Sequence, residues 1–295
     1  MGKLQMHLRT MTKADIPSGM GLVELAGWNQ TSSDWERFLN TSPQGCFVAE
    51  SEGQVCGTVT TIIYEGRFAW VGMVLVAPEH RGTGIGTKLL VRAIEHLETV
   101  GVATIKLDAT PNGKPLYEKL GFVTEYEIER WALGPHTQPL KPDSTFGQQF
   151  SESEKLEKVV NLNEILKVDR EAFGADRSAL LLSLHRESLE FTAALYHEGS
   201  LVGYTLGRHG SRADHIGPWM AKNETAARQL LTAFLARTTR EMIFVDCLKS
   251  SPFVSRLLAS ARFEFSRPLT RMVRGANIFA GRPELFCAIL GPEFG

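Results

Sequence analysis

Apolar positions along the chain switch repeatedly between a period of two and a period near 3.6, marking out alternating strands and helices. Met6-His7-Leu8-Arg9 alternates as a short strand, and Asp15 can cap a helix through Met20, Leu22, Val23 and Leu25. Trp28 and Asn29 fall in the next loop, and Ser33-Asp34-Trp35-Glu36 reads as the capping box of a second helix. Residues 47–50 and 55–58, joined by Ser-Glu-Gly-Gln, read as strand, turn, strand. A further strand runs from Ala69 to Val76 and ends at Pro78. From Thr87 the pattern becomes helical, with Leu89, Leu90, Ala93, Ile94 and Leu97 on one face and Gly101 as the stop. Ile105, Leu107 and Ala109 alternate in the next strand. Pro115–Leu120 forms a short helix stopped by Gly121, and Phe122 opens another strand. Pro135, Pro139 and Pro142 then interrupt any period. The pattern predicts an α/β protein with one domain over residues 1–134, a linker over 135–150 and a second domain over 151–295.

The turn after the 69–76 strand carries the chemistry. Arg81-Gly82-Thr83-Gly84-Ile85-Gly86-Thr87 joins a buried strand to a helix start. Glycines let main-chain N–H groups converge, and the first helical turn adds unpaired donors and partial positive charge. Together these make a seat for a phosphate or pyrophosphate. A P-loop would place Lys and then Ser/Thr after its last glycine, whereas here Thr87 precedes Lys88. A Rossmann fingerprint needs Gly-x-Gly-x-x-Gly, and these glycines sit at alternate positions. The stretch resembles the acyl-CoA loop of the GNAT superfamily of N-acetyltransferases, Arg/Gln-x-x-Gly-x-Gly/Ala, with Arg81, Gly84 and Gly86 at the fixed positions. Leu116-Tyr-Glu-Lys-Leu-Gly-Phe122 resembles the second hallmark of these domains. Two hallmarks in the right order, separated by one helix and one strand, make chance agreement improbable.

The second half repeats the first without its chemistry. Residues 47–57 match 193–203, Val71-Gly72 matches Ile216-Gly217, Ile105-Lys-Leu-Asp108 matches Ile243-Phe-Val-Asp246, and Gly121-Phe122 matches Arg262-Phe263. The offset drifts around about 140 residues, as a duplicated domain with small deletions requires. Where the first half has its glycine loop, the second has Lys222-Asn223-Glu224-Thr225-Ala226-Ala227, with Asn223 reading as a helix cap. The counterpart of the Tyr117 helix, Val254–Leu258, has no tyrosine. The arrangement resembles bacterial tandem GNAT proteins, on the string Asp169-Arg-Glu-Ala-Phe-Gly-Ala-Asp176-Arg-Ser178 and the ending Gly291-Pro-Glu-Phe-Gly295. This resemblance implies two tandem GNAT-type domains, each a mixed, largely antiparallel sheet with helices on both faces. The second is expected to lack coenzyme and to wall the acceptor cleft of the first.

The resemblance also implies roles. Acetyl-CoA would be the co-substrate, with no metal. The main chain of Val74, Leu75 and Val76 would meet its pantetheine arm and thioester, and residues 81–87 its pyrophosphate. Tyr117 would protonate the departing sulfur, or packs as a core tyrosine of its short helix. Asn112 is a coenzyme contact or a turn-forming residue. Asp108 takes the amine proton or bonds to the Thr110–Gly113 turn. Trp28 and Asn29 are acceptor contacts, or Trp28 packs between helices. Asp169 and Asp176 guard a cleft, or pair locally and cap a helix. The expected reaction transfers an acetyl group to a primary amine of a small molecule or exposed amino group. A non-catalytic acyl-CoA sensor is the rival class.

Composition narrows the partners. Lys+Arg of 32 against Asp+Glu of 33 gives a net charge of −1, with no global pull toward nucleic acid or an anionic membrane. Four scattered cysteines form no metal or disulfide pattern. The first residues match neither a signal peptide nor a myristoylation site, and no apolar run approaches membrane length. A cytoplasmic, soluble enzyme is expected; oligomeric state is not legible.

Overall fold

The computed structural model describes residues 6–134, 154–156, 160–251 and 253–295; the linker expected at 135–150 lies outside them. The first half contributes β1 (Met6–Thr10), α1 (Ile16–Ala26), α2 (Ser32–Thr41), β2 (Phe47–Ser51), β3 (Gln54–Tyr64), β4 (Phe68–Val76), α3 (Ile85–Thr99), β5 (Ile105–Ala109), α4 (Lys114–Lys119) and β6 (Val123–Leu133). The second contributes β7 (Glu154–Leu156), α5 (Leu162–Phe173), α6 (Ser178–Glu187), β8 (Ala193–His197), β9 (Ser200–His209), β10 (Asp214–Ala221), α7 (Glu224–Leu235), β11 (Ile243–Leu248), α8 (Val254–Ser260), β12 (Glu264–Arg274) and β13 (Phe286–Ala288).

Local chemistry explains the helix starts, with two shifts from the sequence reading. Asp15 stands at the start of α1, but its carboxylate accepts from Thr12 N and Arg9 and makes no cap bond to the α1 amides. Thr31, not Ser33, caps α2: its Oγ1 accepts from Asp34 N, and the Asp34 carboxylate accepts from Thr31 N at 2.8 Å. Gly101 and Gly121 take positive φ just beyond α3 and α4, as their stop roles require.

The two halves share one sheet of thirteen strands, in the order β1-β2-β3-β4-β5-β12-β6-β11-β13-β10-β9-β8-β7. The sheet is mostly antiparallel; β4–β5 and β10–β11 pair in parallel. The order contains an exchange. Strand β12 of the second half lies between β5 and β6 of the first, and β6 lies between β12 and β11. Nothing in the periodicity announces this, because each strand has the same pattern whichever neighbour it pairs with.

Matched ion pairs lock the exchange. Arg271 on β12 stands directly across from Asp108 on β5, with Nε and Nη2 donating to both carboxylate oxygens at 2.9 and 2.8 Å. Arg130 on β6 stands across from Asp246 on β11 with the same fork geometry, at 2.7 and 2.6 Å. Asp108 and Asp246 are equivalent positions of the internal repeat, so each half supplies the arginine for the other's aspartate. All four side chains are buried. Removing one member of such a pair strands a buried charge, at about 3–5 kcal/mol.

Apolar packing crosses the same boundary. Phe173 of α5 sits against Tyr64, Phe68 and Trp70 of the first half, with ring centroids 5.0, 5.3 and 6.4 Å away. The last residues pass back under the first half. Phe294 stacks on Phe38 at 4.8 Å, Tyr64 Oη donates to the Phe294 carbonyl and Trp70 Nε1 to the Pro292 carbonyl. Asp169 is no guard of a cleft: it is buried, held by both arms of Arg177 at 2.8 Å, and accepts from Tyr204 Oη. Asp176 caps Ser178 N at the start of α6.

The exchange makes the halves interdependent. Residues 1–134 alone would expose both edges of β6 and one of β5, together with the buried Asp108 and the Phe173 contact surface. Expressed separately, this fragment should aggregate. Co-expressed with residues 151–295 it should purify as a one-to-one complex; size-exclusion chromatography checks both outcomes.

Candidate active site

The site begins where two parallel strands part. β4 and β5 are in register only at Ala69–Ile105 and Trp70–Lys106. Beyond these pairs they diverge, so the β4 edge from Val71 onward carries main-chain groups not taken by β5. A bulge in β4 widens the wedge. Thr60 pairs with Gly72 and Thr58 with Leu75, which leaves two residues, Met73 and Val74, against the single Val59. Met73 takes φ +51, a strained value for a residue with a side chain, and Thr58 Oγ1 secures it by donating to the Met73 carbonyl at 2.7 Å.

A groove of about 780 Å³ runs from the wedge to the glycine loop. Its walls include Val74, Leu75, Val76, Arg81, Gly82, Gly84, Ile85, Gly86, Thr87, Asn112, Tyr117 and Trp28, so the fold gathers nearly all the sequence-derived site residues along one channel. Asn29 and Thr83 are the exceptions: both are absent from the wall, and the Thr83 hydroxyl closes the turn by donating to the His80 carbonyl at 2.6 Å. Gly84 occupies the N-cap of α3 at φ +86 with open space where a Cβ would project. The first-turn amides of α3 therefore open onto the channel without side-chain obstruction.

At the inner end lies a chamber of about 40 Å³. The β4 segment Val71–Val74, Asp108, Thr110, Tyr117, Trp28 and Gln30 form one part of its lining. Arg267 and Leu269 from β12, and Pro292 and Glu293 from the chain's last residues, complete it together with Arg130. Tyr117 is 9 % exposed, with Phe122 edge-on to its ring, and its hydroxyl makes no hydrogen bond among the described residues. Burial pushes its hydroxyl up to about 12. Gly113 admits the ring, since a Cβ there would lie 2.9 Å from Tyr117 Cε2.

Two sequence assignments need correction. Asn29 does not face the chamber: its Nδ2 donates to the Ala213 carbonyl at 3.1 Å, and its Oδ1 accepts from Arg212 N and Ala213 N at 2.9 Å. It ties the first half to the β9–β10 turn of the second. Asp108 reaches the chamber wall, but Arg271 engages both its oxygens. Burial pushes its carboxyl above the ordinary range while Arg271 opposes the shift. A carboxylate so held is poorly placed to collect a proton, and it does not serve the Thr110–Gly113 turn either. Trp28 lines both cavities.

Arg267 had no signal in the pattern, and Glu293 stood out only as part of the ending 291–295, with no site role; the exchanged strand and the returning tail bring them in. Gly72 marks the tail's approach: a Cβ there would sit 2.7 Å from the Glu293 carbonyl oxygen. Arg208 engages Glu293 Oε1 and also donates to Asp34 at 2.9 Å, whereas Glu293 Oε2 is buried without a partner among the described residues.

The equivalent wedge of the second half is filled by protein. β10 and β11 pair over Asp214–Ile216 and then part, and β13 inserts there, pairing Ala288 with both Trp219 and Cys247. No glycine loop precedes α7; Asn223 caps it, accepting from Ala226 N at 2.7 Å. Glu224, at the helix start, pairs with Arg228 at 3.3 Å.

Sequence comparison agrees with this duplication. The acetyltransferase (GNAT) family matches residues 20–122, and an acetyltransferase (GNAT) domain matches residues 165–286. Holothin acyltransferase of a Pseudoalteromonas species is 28 % identical over 237 residues, covering 77 % of this chain and 76 % of that protein. The uncharacterized N-acetyltransferase YitH of Bacillus subtilis is 28 % identical over 222 residues, covering 73 % and 74 %. A crystal structure of a putative acetyltransferase from Pyrococcus horikoshii has the same fold across 100 % of this chain and 98 % of its own, with a TM-score of 0.80 at 24 % identity.

The contrast between the two wedges sets a stoichiometry. Calorimetry with coenzyme A should count one site per chain. Gly84→Val should remove it, because a β-branched residue resists φ +86 and projects into the channel. Two equal sites, or native affinity in the folded variant, would contradict this assignment of the groove.

Proposed function

Because the chain belongs to the GNAT acetyltransferase family, with two such domains in tandem, we propose that its first half moves an acetyl group from acetyl-CoA to a primary amine, while its second half walls the acceptor cleft. The observation that carries this reading is the wedge between β4 and β5. It leads in one channel from the α3 amides to the Tyr117 hydroxyl, and its counterpart between β10 and β11 is closed.

The residues present fit acetyl-CoA. Main-chain groups of Val74 and Val76 on the parted β4 edge suit the pantetheine amides, as an added strand would. The amides of residues 81–87 suit the pyrophosphate. The coenzyme supplies an activated thioester. The protein must then polarise the thioester carbonyl, take a proton from the acceptor nitrogen and give one to the leaving sulfur. The main chain around the Met73–Leu75 bulge suits the first task, its donor fixed by the Thr58 bond before any ligand arrives. Tyr117 suits the last: burial keeps its hydroxyl protonated across the working pH range. For the nitrogen's proton, Asp108 is engaged by Arg271, and Glu293 is the chamber carboxylate with an unpartnered oxygen. Glu293 therefore takes this proton, and the two carboxylates divide into one that holds the sheet and one that serves the reaction.

Thiol release from acetyl-CoA across an amine panel tests the reaction; tight coenzyme binding without release for any amine would favour the sensor. Tyr117→Phe should lower kcat by roughly 10²- to 10⁴-fold with coenzyme affinity retained. The native alkaline limb should fall above the ordinary tyrosine value of 10.0. Glu293→Gln should lower kcat with coenzyme affinity retained, which Asp108→Asn would do instead if that residue were the base.

A further inference from the structure

The acceptor chamber holds an unusual imbalance of charge. Arg130 is committed to Asp246, Asp108 to Arg271, and Glu293 Oε1 to Arg208. The Arg267 guanidinium has no hydrogen bond or ion pair among the described residues, and its Nε is buried. It lies directly across from Arg130 in the β6–β12 register, a like-charge pair that disfavours the sheet. Just before it, β12 skips a residue, so that Phe265 pairs with Trp131 and Arg267 with Arg130 while Ser266 bulges out. Bulges of this kind re-aim side chains beside active sites. Burial and neighbouring Arg130 hold the Arg267 guanidinium below its ordinary range, so an anion beside it is favoured. The same chamber carries two buried acceptors without partners, Gln30 Oε1 and Glu293 Oε2.

An unpaired guanidinium together with unpaired oxygens complements a ligand that has an anion at one end and an amine at the other. We infer that the acceptor is a small amino-acid-like amine, whose carboxylate is held by Arg267 and whose nitrogen lies toward Glu293 and Gln30. This rests on the acetyl-transfer reading above and adds the substrate class. A carboxylate fits better than a phosphate. A phosphate dianion would face the nearby Glu293 and Asp108 carboxylates, and a carboxylate brings only a single charge to the one unpaired guanidinium. Arg267 is then a specificity-determining residue delivered by the second half.

The test compares amino acids, their decarboxylated amines and aminoalkyl phosphates as acceptors in the thiol-release assay with acetyl-CoA. The native protein should prefer an amino acid over its decarboxylated counterpart by on the order of 100-fold in kcat/KM. In Arg267→Gln this ratio should fall to near one, Arg267→Lys should restore part of it, and coenzyme affinity should certify the fold of both. Equal use of amines with and without the carboxylate, or preference for the phosphates, would overturn the inference and leave acetyl transfer standing. A loss of coenzyme affinity in folded Arg267→Gln would assign the residue to the coenzyme and overturn it as well. Calorimetry of the same amino acids against the coenzyme A complex separates the two readings. Binding that needs Arg267, without thiol release, would keep the anion site and reject the transfer; absence of both binding and release would reject both.

Discussion

The exchange of β6 and β12, held by two forked Arg–Asp pairs, is the constraint from which the rest of the molecule follows. A guanidinium placed across a sheet from a buried carboxylate fixes strand register more sharply than apolar packing, because a slip of one residue would turn both charges to opposite faces. Each half supplies the arginine of the other's pair. Neither aspartate is satisfied until both halves are present, so docking and folding are one event.

That constraint also builds the active site. β12 cannot lie between β5 and β6 without bringing Arg267 and Leu269 to the inner chamber. The segment beyond β13 cannot return under Trp70 and Tyr64 without setting Glu293 against Gly72. The first half supplies a channel for a thin, extended ligand, and the second adds Arg267 and Glu293 at its inner end. The parting of β4 from β5 needs no special sequence beyond the bulge at Met73: once only two residue pairs stay in register, the sheet's twist carries the strands apart.

Much of this was legible in the chain. The glycine loop, the Tyr117 helix, the internal repeat and the silent second loop could each be read locally, because turn chemistry and caps depend on near neighbours. What could not be read depends on distant ones. Asp108 looked like a free carboxylate at a strand end, and only the exchanged strand reveals Arg271. The resemblance put Asn29, in the loop between the first two helices, over the acceptor, yet its amide is used by the turn at 212–213. Arg267 carried no sign, since one arginine in an alternating strand looks like any solvated position. Asn223, whose capping role rests on three residues of its own helix, was read correctly.

The filled wedge of the second half bears on how such a duplicated chain can change. Glycines restored at 222–227 would recreate a phosphate seat but no second working centre, for the main chain that a pantetheine arm would meet is already bonded to β13. Removing β13 would open that wedge, yet the same segment continues to Pro292, Glu293 and Phe294, which complete and support the chamber of the first half. Reviving the dormant copy would therefore dismantle the active one. The asymmetry is self-locking, a one-way step in the divergence of two once-equal halves.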